Sequence, residues 1–464
     1  MKTRILSFLA TMLAGGILLA QSPVEIANAS NLSLQNPSQI RADFGMLFID
    51  GQAHIGMRFQ PELSIAKFGI GLNVPVFYSL TEQKIRTEEY QGGVGLLRLI
   101  DYLRYGRKKK DPLFIRAGRL DGAYLGFGIL LNNYSNSISF EKRVIGLEFD
   151  VLFDERFGLE GMYSNLDFTS FNLLALRPYY KPFGKTFIPI LKTLEIGLGF
   201  VADFDQTSST QTNDSLTSSN SYLQNGMMGI SADMGLFLLN TRFVDVTTFA
   251  QYGRLFKNKG LEDALIPINM MVGNTPSFYD DGQGASVGLA ARIRFLLNIF
   301  ELTARIERQW YSAHFIPHFF DYTYEIDKNA KIERLASAPE TRGIYGSLTF
   351  DVVNKIFVSG GVLMPDAVSE EQPATAFLNL NVPDLIPKTY LNGRIIKSNV
   401  TSLSSVIELD EYTQANLIAA YKILPFFHVG VDYRWTFIPA ANNTLSIDYQ
   451  VMPYVGLNIP LNEW

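Results

Sequence analysis

The sequence predicts an all-β fold, specifically a transmembrane, antiparallel, up-and-down barrel of roughly 18–20 strands. Three observations predict it. Apolar and polar residues alternate with period two in segments of roughly nine to thirteen residues, near the span of a tilted transmembrane strand. Beyond the first residues there is no run of 18 apolar residues, although 47% of the chain is hydrophobic and only 18% is charged. The connections between segments alternate in length, as a meander through a membrane requires. The 34 Phe, 22 Tyr and 37 Gly among the 464 residues agree with a β-rich chain.

The segments follow in order. Ile55, Met57, Phe59, Leu63 and Ile65 oppose His54, Gly56, Arg58, Gln60, Glu62 and Ser64. Phe68, Ile70, Leu72, Val74, Val76 and Tyr78 oppose Gly69, Gly71 and Asn73. The same grammar recurs at Ile145–Phe153, Leu194–Asp203, Ser286–Phe295 and Phe427–Phe437. In each, one face suits hydrocarbon and the other a polar lumen. A soluble sandwich also alternates, but its strands are usually shorter.

Tight connections are expected near Ala66-Lys67, Asp121-Gly122, Asp154-Glu155, Asn240-Thr241, Asn298, Asn354 and Pro425. Long ones are expected at 80–112, 205–226, 256–282, 313–340 and 398–410. Two connections break the alternation: Asp50-Gly51 is short and 180–192 is long. Within the 80–112 excursion, Leu96, Leu99, Ile100 and Leu103 recur at helical spacing, so a helix is expected over 93–105. The basic run Arg107, Lys108, Lys109 and Lys110 follows it. Three placements of 93–110 stay open: folded inward to narrow a pore, laid at a lipid interface, or solvated. Tyr78, Tyr252, Trp310, Trp435 and Phe437 precede long loops, and Phe153, Phe157, Phe300, Phe426 and Phe427 flank tight turns. That placement suggests two aromatic girdles.

The N-terminus has a secretory pattern, with Lys2 and Arg4 ahead of an apolar stretch from Ile5 to Ala20. A signal peptide over 1–20 is expected, with cleavage as late as Ala29, leaving 30–464 as a single barrel domain. At the other end, Ile447, Tyr449, Val451, Val455, Leu457, Ile459 and Leu461 share one face and the chain ends in Trp464. Here the chain resembles Gram-negative outer-membrane β-barrel proteins of porin-like architecture, which commonly end in an amphipathic strand with a terminal aromatic. Trp464 departs from that pattern, since it falls on the other phase from Leu461. The resemblance implies a place in the cell outer membrane, with outer-membrane lipid and the barrel-assembly machinery as partners. A barrel of 18–20 strands has a lumen wide enough for water unless loops fill it, so passive passage of small solutes is the expected function. A non-conducting scaffold, secretion accessory or surface-binding barrel is the alternative.

Chemistry is sparse. With no cysteine and four histidines, thiol chemistry drops out and little remains for a metal centre. The net charge of −5 gives no case for nucleic-acid binding. Gly284-Ala285-Ser286-Val287-Gly288 has the G-x-S-x-G form but sits inside an alternating strand, where a nucleophile elbow needs a strand-to-helix turn. His314 and His318 are four apart, but Pro317 disfavours the helix that would align them. No enzyme, cofactor or metal site is therefore expected. The candidate site is a charge cluster on the lumen wall, Arg292, Arg294, Glu301, Arg305 and Glu307, on the polar faces of two consecutive strands. Two roles fit it: a salt-bridge ladder that holds a filled barrel together, and a charged screen that sorts solutes. Further lumen acids are Glu148, Asp150, Glu195, Asp203, Asp233 and Asp432.

Overall fold

The computed structural model describes residues 22–31, 39–49, 52–87, 90, 96–136, 144–166, 172–203, 227–257, 269–272, 275–278, 281–296, 299–326, 328–352, 356–370, 372–382, 388–402, 404–406, 408–410, 412–439 and 445–461. Twenty antiparallel strands close on themselves. They are β1 (Gln39–Ile49), β2 (Gln52–Ile65), β3 (Phe68–Leu72, continued as Val74–Ser79), β4 (Ile100–Tyr105) and β5 (Leu113–Gly118). β6 (Gly146–Phe153), β7 (Phe157–Tyr163), β8 (Leu174–Tyr180), β9 (Glu195–Asp203) and β10 (Met227–Asn240) follow. Then come β11 (Val244–Lys257), β12 (Asp281–Phe295), β13 (Phe300–Tyr311), β14 (Thr341–Val352) and β15 (Ile356–Pro365). The last are β16 (Ala374–Val382), β17 (Thr389–Val400), β18 (Thr413–Lys422), β19 (Phe427–Pro439) and β20 (Leu445–Pro460). Each strand pairs with its sequence neighbours, and β1 pairs with β20 from Gln39↔Pro460 to Gly45↔Tyr454. Closure leaves the sheet without an exposed edge.

The two faces are those the alternation implies. Phe44, Met57, Ile70, Leu198, Leu289, Ile306, Leu348 and Val455 lie exposed on the outer surface. Asp43, Arg58, Glu148, Arg177, Glu195, Asp245, Arg305 and Asp432 are buried, pointing inward. Aromatics cluster at the strand ends, where Phe157 stacks on Tyr180 at 4.6 Å and Trp435 on Tyr449 at 6.1 Å.

Several connections differ from expectation. The stretch 80–112 is not one excursion. Leu96–Leu99 forms a 3-10 turn and Ile100–Tyr105 is a strand, so no helix spans 93–105. Leu96, Leu99, Ile100 and Leu103 fit a helical spacing, but Leu103 and Tyr102 also alternate out and in, and pairing with β3 and β5 decides. The basic run then occupies a turn on the short-connection side. Asp121-Gly122 is not a tight hairpin either. Gly118 has φ +123°, where an added Cβ would stand 2.4 Å from the Asp101 carbonyl, and there the chain leaves the sheet and enters the lumen. The connection at 181–194 is long, as read from the sequence, and carries the short helix α2 (Pro189–Lys192). The expected signal peptide, loop 205–222, Asp50-Gly51, Asn298, Asn354 and Trp464 lie outside the described residues.

The facing of β12 is testable. Leu289→Arg sets a charge on the outer face mid-strand and is expected to cost about 2–4 kcal/mol. Ser347→Thr, on the partly wet inner face of β14, is expected to be near neutral. Folded fraction by heat-modifiable gel mobility separates them; equal losses would mean the assigned faces are wrong.

Candidate functional site

The lumen is occupied by the chain itself. Residues 22–31 enter it as a strap built on the short helix α1 (Pro23–Ala27), capped by the Ser22 side chain on the Val24 N–H. Val24, Ile26 and Ala27 are essentially inaccessible and pack with Phe127, Phe237 and Phe249. The loop 119–136 is the second piece. Its Leu120, Phe127, Leu131 and Tyr134 have no exposed surface, which is unusual for a loop. A buried loop must find partners for its backbone, and this one does. The Gly126 N–H donates to Glu160 Oε1 at 3.1 Å and the Ile129 N–H to Gln251 Oε1 at 2.9 Å. Residues 312–337 form a third piece, a lid folded onto the loop. The His318 N–H donates to the Ile129 carbonyl at 2.8 Å and the Phe320 N–H to the Leu130 carbonyl at 3.0 Å. The lid ends in α3 (Lys328–Ser337), whose Lys328 Nζ lies 2.9 Å from Asp203.

The fourth piece is the basic turn. Lys108 Nζ stands 3.0 Å from Glu148, and Lys109 Nζ stands 3.2 Å from Glu160 and 3.5 Å from Asp150. Lys110 reaches Glu25 of the strap at 3.2 Å. Beside them Arg177, wholly buried, meets Glu160 at 2.8 Å, Glu195 at 2.9 Å and Asp233 at 2.5 Å. Gly126 of the loop lies against this guanidinium, where any Cβ would meet Asp233 Oδ2 at 2.6 Å. Burial alone would discharge the Lys109 ammonium, but Asp150, Glu160 and Glu195 outweigh it and hold its pKa well above the ordinary value. Burial also pushes the Glu25 carboxyl up, and Arg292 and Lys110 bring it below its usual range.

The five predicted residues all lie on the lumen wall, in two groups. Arg292 stands 3.0 Å from Glu301 and 3.0 Å from Glu25, while Arg294 pairs with Asp245 and lies 3.6 Å from Glu301. Arg305 pairs with Glu307 at 2.5 Å and donates to the carbonyls of Ala27 and Phe127, each at 2.9 Å. Arg292 and Arg305 therefore grip the strap and the loop. Sequence reasoning missed Glu25, Lys108, Lys109, Arg177 and Glu160 as parts of the site. The signal that points to them is the run of inward acids on β6–β10, which outnumbers the single inward cation there, Arg177 on β8. Ser286 sits mid-strand in β12, away from any strand-to-helix turn. His314 and His318 belong to the lid, and the described residues contain no group of three or more candidate metal ligands.

The filling is heavier on one side, although Ser359 and Asn379 donate to the Ser30 carbonyl of the strap from the other. Inward positions of β6–β13 are buried almost throughout. On β14–β20 and β1–β2, buried inward positions alternate with partly accessible ones, among them Arg41, Gln60, Glu62, Asn392, Asn416 and Arg434. Arg394, Asn416, Arg434 and Gln450 form one cross-strand row there. Asp432 is flanked by Arg58 and Arg434, each at 3.0 Å, and Arg41 pairs with Asp43 at 2.7 Å.

An outer apolar belt, a polar interior and a ring closed by β1–β20 decide the class. The architecture is a closed, 20-stranded antiparallel β-barrel, apolar outside and polar within. No family model matches the chain, and no curated protein does. Among solved structures, OpdQ of Pseudomonas aeruginosa is similar with a TM-score of 0.34 at 8% identity, over 92% of this chain and 97% of that one. The ferric-catecholate import receptor Fiu of E. coli K12 is similar with a TM-score of 0.34 at 9% identity, over 92% and 82%. CdiB of Acinetobacter baumannii has a TM-score of 0.27 at 6% identity; 91% of this chain is covered, and it spans 60% of that barrel's chain. At these identities the likeness is one of barrel architecture alone.

The lid carries a pH dependence. Burial lowers the His318 pKa to about 4, against the upward pull of Glu307. An exposed imidazole titrates near ~6.5. The docked lid is therefore fully stable above that value and loses stability as pH falls from it toward 4. Limited proteolysis within 312–337 should accelerate between pH 7 and pH 5, and His318→Phe should flatten the response. An unchanged profile in the variant would sink this assignment.

Proposed function

We propose that this barrel resides in an outer membrane and passes small polar solutes along the unfilled side of its lumen. The observation that carries the reading is the asymmetry of the interior. Strap, loop and basic turn pack chiefly on the β6–β13 side and reach across where Ser30 meets Ser359 and Asn379 and Asp121 meets Arg394, while β14–β20 and β1–β2 keep polar, partly accessible side chains. A barrel of this strand number is wide enough to hold both a filling and a passage. The belt of exposed Leu, Ile, Val and Phe on the outer face supports the outer-membrane location. The amphipathic strand β20 supports insertion by the barrel-assembly machinery, with outer-membrane lipid as the surrounding partner.

Of the two roles for Arg292, Arg294, Glu301, Arg305 and Glu307, the contacts favour holding the filling in place. Arg292, Arg305 and Glu307 are buried against strap, loop or neighbouring side chains, so a solute on the other side does not meet them. The screen that sorts solutes is instead the Arg41–Arg434 side. The alternative, a non-conducting scaffold, draws on the lid, which folds over the loop and closes that part of the lumen.

Planar-bilayer recording tests the reading. Wild type should conduct in small, steady steps, and Arg434→Glu should shift the reversal potential toward cations, an effect that salt weakens. Deleting residues 22–31 should raise the unit conductance several-fold, because it removes volume from the lumen. A folded wild type that never conducts would favour the scaffold.

A further inference from the structure

Where the loop leaves β5, three guanidiniums converge on one residue, Asp121. Arg394 Nη1 of β17 donates to Asp121 Oδ1 at 2.9 Å, and Arg119 Nη1 stands 3.6 Å from Asp121 Oδ2. Arg116 Nη1 of β5 reaches the Asp121 backbone carbonyl at 3.5 Å. β5 and β17 lie on different sides of the ring, so Asp121 bridges the filled half of the lumen to the unfilled one. The remaining donors are not all used. Arg394 Nε is spent on Asn379 at 2.9 Å, and its face is covered by the Tyr322 ring at 4.2 Å. Arg394 Nη2 and both Nε and Nη2 of Arg116 have no acceptor, although Arg116 is 5% exposed and Arg394 6%. Glu148 and Asp101, the other carboxylates acting on Arg116, are held by Lys108 and Arg119.

A buried guanidinium normally spends its donors, because each one left idle carries its desolvation cost uncompensated. A partner for these nitrogens must supply acceptors and no donors. The site also shows how it takes such a group. Arg119 grips Asp101 side-on, with Nε at 3.0 Å and Nη2 at 3.1 Å from the two carboxylate oxygens. Arg119 keeps 35% of its side chain exposed, which gives the cluster an opening.

We infer that Arg116, Arg119 and Arg394 form a binding site for a small organic carboxylate at the boundary between filled and unfilled lumen. This rests on the reading of the unfilled side as a solute path, and it names the solute class that the path retains. The carboxylate enters beside Arg119 and takes the idle edges of Arg394 and Arg116. No bond is made or broken, so the site selects and holds the solute.

The test uses the purified full barrel in detergent micelles. Its thermal midpoint is followed in sodium acetate, succinate, sulfate and chloride at matched ionic strength. Acetate and succinate should raise the midpoint saturably above the chloride value. Arg116→Gln and Arg394→Gln should weaken half-saturation on the order of tenfold, as loss of a charge-assisted hydrogen bond does. Arg394→Lys keeps the charge without the fork and guards against a glutamine variant that fails to fold; it should also bind more weakly. Arg308→Gln, at an exposed ion pair with Asp366, should respond as wild type. Carboxylates no better than chloride, or folded site variants that respond as wild type, would overturn the site. Sulfate as effective as succinate would overturn the carboxylate class. Bilayer recording is scored separately, so a barrel that binds succinate but never conducts overturns the solute path and leaves the site.

Discussion

The interior of this barrel is organised by the need to neutralise buried charge. Arg177 has no exposed surface, and neither do Glu160 and Glu195 beside it. Removing such ions from water is costly unless each finds counter-charges and hydrogen bonds, and stripping one partner from a buried set costs about 3–5 kcal/mol. Arg177 cannot serve Glu160, Glu195, Asp233, Glu148 and Asp150 alone. The missing cations arrive from outside the strands, as Lys108 and Lys109 on the turn between β4 and β5. That demand draws the turn into the lumen. The strap follows, because Lys110 and Arg292 both need Glu25.

The inward loop also takes chain from the strands that flank it. β4 to β8 run from six to eight residues, whereas β10 to β13 run from 12 to 15. Chain that would have lengthened the β5–β6 hairpin has turned inward at Gly118. The inward loop brings its own apolar contacts, with Phe127 stacked on Phe249 at 4.6 Å, and its own backbone donors matched to Glu160 and Gln251. Filling and wall are therefore one packed unit on the β6–β13 side.

The barrel was largely legible in the sequence and its filling was not. Period-two alternation placed Ile55, Met57 and Phe59 outward and His54 and Arg58 inward, because hydrocarbon on one side leaves little freedom in face assignment. It also located the Arg292–Glu307 cluster, which lies on regular strands. The strap, the loop and the basic turn escaped because none has a period. Leu120, Leu125, Phe127, Leu130 and Leu131 read as an insecure strand, and for Lys108 to Lys110 an inward placement was one of three that the sequence left open. Their partners stand 40 to 100 residues or more away, and only ring closure brings them together. Leu96 to Leu103 shows the converse failure, where a helical spacing was present and strand pairing overrode it.

A barrel that satisfied its wall charges only within the sheet would need each acid matched by a cross-strand base. Here β14–β20 and β1–β2 approach that arrangement, with Arg58 and Arg434 on Asp432 and Arg41 on Asp43, and there the lumen stays partly accessible. On β6–β10 the acids outnumber the bases, and the shortfall is met by chain brought in from the turn and the strap. Charge imbalance along β6–β10 thus draws in the basic turn, while on β11–β13, where the charges balance, apolar packing of Val24, Ile26 and Phe127 on Phe249 seats the filling. Where the halves meet, Asp121 of the loop crosses to Arg394 on the far wall and ties the filling to the open side. Around it Arg116 and Arg394 leave donors unspent, and a diffusing anion is a partner of the chemistry those donors call for.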